Sequence, residues 1–302
     1  MLSIWGRRRA AQDGPPIWTS YSDGPVPDWD YAGIRPEAFR EAILRRGAVM
    51  LRKAADKETL LEIKAALDAL FNDYAATPAG EFERHLESND PGERDLWEQI
   101  KRSHIFDRTF KLATGRSYYE IIRKSGLWAL AEQAFPESAV AESQVCNCRR
   151  VSDADIRPLF DRPIEFHIDA QVFYDHCLSV NFWTPLDPCG VDAPGLEVIP
   201  LGVDETRKYL EHKQMGYSRR PADIGLMHHF RCAKLEAAPL AESGLVSRVW
   251  VPEFEVGDVL AFTNFTMHAT HHTAAMSQPR VSVEVRVDLP GYRLRFPPSG
   301  GA

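Results

Sequence analysis

The chain has 302 residues, 44% hydrophobic and 26% charged, so it can bury a sizeable core. Its formal net charge of -7 argues against the broad basic surface that nucleic acid or an anionic membrane requires, and neither is expected as a partner. Five cysteines are an odd number, and the basic cluster Arg7-Arg8-Arg9 follows the short apolar start rather than preceding it. Both features read as a cytoplasmic protein with reduced thiols and no secretory signal, and no run is long enough to span a bilayer.

In chain order, residues 1–35 carry Gly14, Pro15, Pro16, Gly24, Pro25 and Pro27 with little periodicity and read as an irregular arm. Residues 36–302 read as one domain whose helical layer lies mainly in 36–136. Pro36 suits the first position of a helix reaching residue 46, and residues 47–53 look like a short strand. Over residues 56–71 the stripe Leu60, Ile63, Leu67, Leu70 and Phe71 predicts a helix capped by Asp56. A single helix is expected from 118 to 135, stopped by Pro136.

Beyond residue 139 short runs rich in Val, Phe, Trp and Thr replace that periodicity, at 144–149, 177–186, 196–200, 258–265 and 281–287. A helical front and a β-rich back predict helices packed on one antiparallel sheet of a sandwich or jelly roll. No Gly-rich phosphate loop occurs.

The chemistry begins at Phe166-His167-Ile168-Asp169. In an extended chain residues i and i+2 point the same way, so His167 and Asp169 can reach one ion. A second segment, from Gly257-Asp258 through Phe262 to His268, reads as a turn, a buried strand and a histidine beyond it. Two histidines and a carboxylate give three ligands on one face of an ion and leave positions open, an arrangement suited to iron(II). Arg280 opens an alternating run in which Arg280, Ser282, Glu284 and Arg286 share one face and four valines the other. A guanidinium with a hydroxyl two residues on suits a carboxylate.

With these residues assembled, the chain resembles the phytanoyl-CoA dioxygenase family of iron(II)- and 2-oxoglutarate-dependent oxygenases over about residues 40–290. The likeness lies in residues 46–52, in His167-Ile168-Asp169, in Trp183-Thr184-Pro185-Leu186-Asp187, in Gly195 through Pro200, and in the Gly257-Asp258, Phe262, His268 spacing. The resemblance implies a double-stranded β-helix with N-terminal helices, and His167, Asp169 and His268 as iron ligands. It makes Arg280 the partner of the distal carboxylate of 2-oxoglutarate, with Thr270, Trp183 and Gln144 beside the co-substrate, and Ser282 adds a donor from the face it shares with Arg280.

The implied reaction consumes O2 and 2-oxoglutarate, releases succinate and CO2, and hydroxylates a small-molecule or carrier-linked substrate. Asp169 speaks against halogenation, in which a small residue replaces the carboxylate ligand. A cupin-like isomerase, a zinc hydrolase and a non-catalytic binding protein are the other readings, and the first two leave Arg280 unexplained. Residues 207–234 hold seven Lys or Arg against two Asp or Glu and read as a solvated loop, the alternative being a basic lid for an anionic substrate. Cys146-Asn147-Cys148 reads as buried thiols, the Asn264-Phe265-Thr266 sequon as silent within a strand, and His271 and His272 as bystanders to His268.

Overall fold

The computed structural model describes residues 25–72, 104–143, 146–151, 166–170, 177–212 and 243–293. In chain order these form β1 (Asp28–Asp30), α1 (Pro36–Arg46), β2 (Ala48–Arg52), α2 (Lys57–Asn72), β3 (His104–Phe106), α3 (Asp107–Thr114), α4 (Tyr119–Lys124) and α5 (Leu127–Ala134). There follow β4 (Ala141–Glu142), β5 (Asn147–Val151), β6 (Cys177–Pro185), β7 (Gly195–Ile199), α6 (Val203–His212), β8 (Val259–Thr263), β9 (Met267–His271) and β10 (Arg280–Arg293).

Local chemistry accounts for most of these boundaries. Pro36 starts α1, and Gly47 ends it in the left-handed region at φ 73°, its N–H donating to the Ile43 carbonyl. Asp56 caps α2 by accepting from the Thr59 N–H at 2.8 Å. Leu60, Ile63, Leu67 and Phe71 of α2 are buried as the stripe requires, whereas Leu70 is only partly covered.

Three expectations need correction. The helix expected over 118–135 is two helices, α4 and α5, because Gly126 takes φ 76° and breaks the hydrogen-bond ladder between them. The arm is not wholly irregular, since β1 pairs in parallel with β2. Asn264 lies in the turn after β8 rather than in a strand. It is fully buried, accepting from the Ser179 N–H and donating to the Cys177 carbonyl, so no glycan fits there.

The large sheet runs β1-β2-β8-β6-β10-β5-β3 with β4 against β10, and the small sheet is β7-β9. Apart from β1 and β2, the pairings are antiparallel. One face of the large sheet meets the helices, where Val180, Phe182 and the valines 281, 283, 285 and 287 pack with Phe39, Ile43, Leu60 and Ile63. Burying each such side chain stabilises by roughly 1.5–3 kcal/mol. Its other face looks toward β7-β9 across a second apolar cluster that includes Met50, Trp183, Leu196, Val198, Leu260 and Phe262. The result is a jelly roll whose interior, between the two sheets, receives Arg280, Ser282, Glu284 and Arg286 of β10, opposite the valines, as their alternation requires.

Candidate metal centre

His167, Asp169 and His268 come together, with one ligand atom from each lying within 4.8 Å of the others. Among the described residues they are the one such group of three. Asp169 Oδ1 is 3.6 Å from His167 Nε2 and 3.7 Å from His268 Nε2.

The backbone brings the two histidines together. His167 and His268 face each other in an isolated antiparallel bridge, exchanging N–H to carbonyl bonds of 3.0 and 3.1 Å. The path to Asp169 differs from the extended one expected, because the chain is helical at Asp169 and Ala170. That segment is pinned by the Ala170 N–H donating to the Asn264 carbonyl at 2.9 Å. His268 lies on β9, and its Nδ1 is 2.9 Å from the Thr266 carbonyl. A carbonyl only accepts, so Nδ1 carries the proton and Nε2 presents a lone pair to an ion. Thr266 is in turn tied to helix α1, its Oγ1 donating to the Gly47 carbonyl.

Asp169 is buried. Its Oδ2 accepts 2.7 Å bonds from Asn181 Nδ2 and from Arg286 Nη2. Burial alone would raise its carboxyl, but the Arg286 guanidinium, the two histidines and the Asn181 amide together hold it below the usual carboxylate range. Glu284 is pushed the other way, by burial and then by the Asp169 charge, against Arg286.

Along the interior the polar groups form levels. Arg286 meets Asp169 at the first. At the second, Ser282 pairs in register with Arg149, whose Nη1 donates to Thr270 Oγ1 at 3.3 Å. At the third sits Arg280, 1% exposed, its guanidinium 5.0 Å from the centre of the Trp183 ring. Neither Nε nor Nη1 of Arg280 has a hydrogen-bond partner among the described residues. Burial draws its pKa down, against the pull of Cys189, Cys148 and Asp187. A buried guanidinium with unmatched donors is costly unless an anion meets it. The donor set therefore fits a metal ion at the triad and a carboxylate at Arg280.

The structure brings Thr270, Trp183, Ser282 and Arg280 into this interior, while Gln144 lies outside the described residues. Sequence reasoning missed the roles of Asn181 and Arg149 and gave no task to Glu284 or Arg286, although alternation already placed those two beside Arg280. His271 sits on the opposite side of β9, with Nδ1 3.4 Å from Glu197 Oε2, and His272 follows the strand end. Burial pushes the Cys146 thiol up to about 12 and raises Cys148 as well, which suits packed thiols rather than metal ligands. His176, His228, His229 and residues 213–234 of the basic run lie outside the described residues.

No protein-family model and no curated protein matches the chain. Solved structures do. EctD from S. alaskensis with bound Fe aligns at TM-score 0.56 and 16% identity, covering 96% of this chain and 86% of that one. The same protein in its apoform gives 0.55 and 15%, covering 90% and 84%. EvdO2 from Micromonospora carbonacea var. aurantiaca, complexed with 2-oxoglutarate, gives 0.54 and 15%, covering 88% and 96%. At these identities the likeness shows a shared fold, the double-stranded β-helix.

Proposed function

We propose that the chain is an iron(II)- and 2-oxoglutarate-dependent oxygenase that hydroxylates a small molecule, with His167, Asp169 and His268 as the iron ligands. The observation that carries the reading is Arg280, a buried guanidinium with unmatched donors, facing the same interior as a His, Asp, His triad. Its support from outside the chain is that EctD has been solved with bound Fe and with 2-oxoglutarate and 5-hydroxyectoine, and EvdO2 with 2-oxoglutarate. The motif spacing extends the reading to the phytanoyl-CoA dioxygenase family, and the sequence adds residues 36–302 as one domain, a cytoplasmic enzyme from its cysteines, and a small-molecule or carrier-linked substrate. Among the described residues no helix is long and apolar enough to cross a membrane.

Iron(II) with 2-oxoglutarate and O2 supplies the oxidising power, 2-oxoglutarate leaving as succinate and CO2. The chain supplies the rest. His268 is held as the Nδ1–H tautomer by the Thr266 carbonyl, so its Nε2 is ready to ligate without a tautomer change. Arg280, held over the Trp183 ring with Nε and Nη1 unmatched, would pair with the distal carboxylate. Thr270 and Ser282 offer hydroxyls between the two ends. Trp183, Leu196, Val198, Leu260 and Phe262 form an apolar cluster between the two sheets, which would exclude water and so strengthen the polar contacts beside it.

The test is to supply iron(II), 2-oxoglutarate and O2 to the purified protein with a panel of candidate metabolites and to measure succinate and O2 uptake. Iron-dependent succinate release, stimulated by one class of metabolite, is expected. Absence of any iron-dependent turnover, with or without metabolite, contradicts the reading and leaves a binding protein.

A further inference from the structure

Among the described residues, Asp169 is held through one oxygen. Oδ2 receives Asn181 Nδ2 and Arg286 Nη2, each at 2.7 Å, while Oδ1 faces the two histidine nitrogens. Arg286 is itself fixed. It is fully buried, its Nε donates to Asn181 Oδ1 at 2.7 Å, and its Nη2 also reaches Glu284 Oε1 at 3.1 Å. Asn181 on β6 and Arg286 on β10 are register partners, so the sheet presents the amide and the guanidinium as one unit. One guanidinium is thus withdrawn from water beside the triad, with the part-buried Glu284 against it. A hydrophobic replacement would cost the fold little, so folding alone gives weak reason to keep them.

Resting on the iron reading above, we propose that Arg286, oriented by Asn181 and Glu284, is a positioning residue that keeps Asp169 a one-oxygen ligand. A carboxylate can bind an ion through one oxygen or both. Three protein donors on a six-coordinate ion leave three positions, and a chelating keto acid with O2 needs all three. If Oδ2 swung onto the metal it would take one of them. Two charge-assisted or amide hydrogen bonds, both near ideal length, hold Oδ2 away from the metal. Glu284 Oε1 meets the same Nη2 at 3.1 Å and helps to fix the guanidinium beside Asp169.

Two variants test this. Arg286→Met with Glu284→Gln removes one positive and one negative charge, leaving the buried net charge unchanged while Oδ2 loses its guanidinium. Asn181→Leu changes no charge and removes the other donor. Neither touches the carboxylate seat at Arg280. Iron(II) binding under nitrogen is measured by competition with a chelator. The 2-oxoglutarate affinity of the iron-loaded protein is then read from its visible absorption, with thermal melting to establish folding. Both variants are expected to retain iron but to bind 2-oxoglutarate about tenfold or more weakly, the size typical of partners that orient metal ligands. Wild-type 2-oxoglutarate affinity in either folded variant overturns the proposal. If the doubly substituted chain does not fold, Asn181→Leu alone decides. Should the unsubstituted protein bind no iron, the reading beneath the proposal fails and the proposal falls with it. That outcome is distinct from one in which the wild type behaves as expected and the variants match it.

Discussion

Arg280 is where electrostatics and function meet most closely at the scale of single residues. Its guanidinium is 1% exposed, lies over Trp183 and has two unmatched nitrogens among the described residues. Truncating a buried charge that an anionic ligand pairs with costs roughly 2–5 kcal/mol of binding. Arg280→Met, which keeps the aliphatic stem, is therefore expected to weaken 2-oxoglutarate binding by well over tenfold while leaving iron binding intact. Unaltered 2-oxoglutarate affinity in that variant would remove Arg280 from the site. The three histidines on and after β9 separate in the same way. His268→Ala loses the nitrogen whose tautomer Thr266 sets, whereas His271 faces Glu197 on the far side of the strand. Iron measured in the purified variants should fall to background for His268→Ala and stay near one per chain for His271→Ala and His272→Ala. Full iron in His268→Ala would move the ligand assignment elsewhere.

At the scale of elements, the site depends on a joint between helix α1 and the turn from β8 to β9. Gly47 closes α1 with positive φ, and its carbonyl accepts from the Thr263 N–H and from Thr266 Oγ1. A Cβ on Gly47 would lie 2.2 Å from the Leu201 carbonyl oxygen and 3.1 Å from Thr266 Oγ1. Gly47→Ala should therefore cost more than the roughly 1–2 kcal/mol of a left-handed residue alone. It should also loosen His268 through Thr266, read as a lower melting temperature together with weaker iron binding. A melting temperature equal to wild type would dismiss the joint.

This joint also shows what a sequence conveys. Helices α1 and α2 and strands β2, β6, β7, β8 and β10 were legible because each is a local periodic pattern with a cap or a turn residue at its end. Strand β9 was not, since the pattern places His268 beyond a strand end rather than on a strand of its own. That His167 and Asp169 could reach one ion was legible in their two-residue spacing, and alternation along β10 put Arg280 on the interior face, while the place of His268 beside them came from its spacing after Gly257-Asp258 and Phe262. The break at Gly126 was not, since a glycine within a helical pattern stops the helix only if its φ turns positive. Asn181 and Arg286 were invisible as partners of Asp169 for a different reason. Their meeting is set by the register of β6 on β10 and by a turn at Asp169, which no local pattern encodes.

For the whole molecule, contacts within the chain itself hold the interior together. The His167–His268 and Val198–Trp250 bridges tie further segments onto the β7-β9 sheet, and the apolar cluster around Trp183 packs that sheet against the large one. The ionised Asp169 already has a guanidinium partner. Chelation with EDTA should consequently leave a folded, cooperatively melting protein, unlike small domains that fold only with their metal. Iron(II) with 2-oxoglutarate should then raise stability by mass action, about 2.7 kcal/mol at a hundredfold excess over Kd. Differential scanning calorimetry on the chelated and loaded protein measures both effects, and loss of the cooperative transition on chelation would contradict the preformed site.

The central claim is that one pocket holds iron at the triad and 2-oxoglutarate between iron and Arg280. The most direct measurement is an anaerobic titration of the iron(II)-loaded protein with 2-oxoglutarate, followed by visible absorption. A weak charge-transfer band that saturates at one equivalent, weakens in Arg280→Met and vanishes in His268→Ala is the predicted result. Stoichiometric iron with no band at any 2-oxoglutarate concentration, or an undiminished band in His268→Ala, would contradict the account.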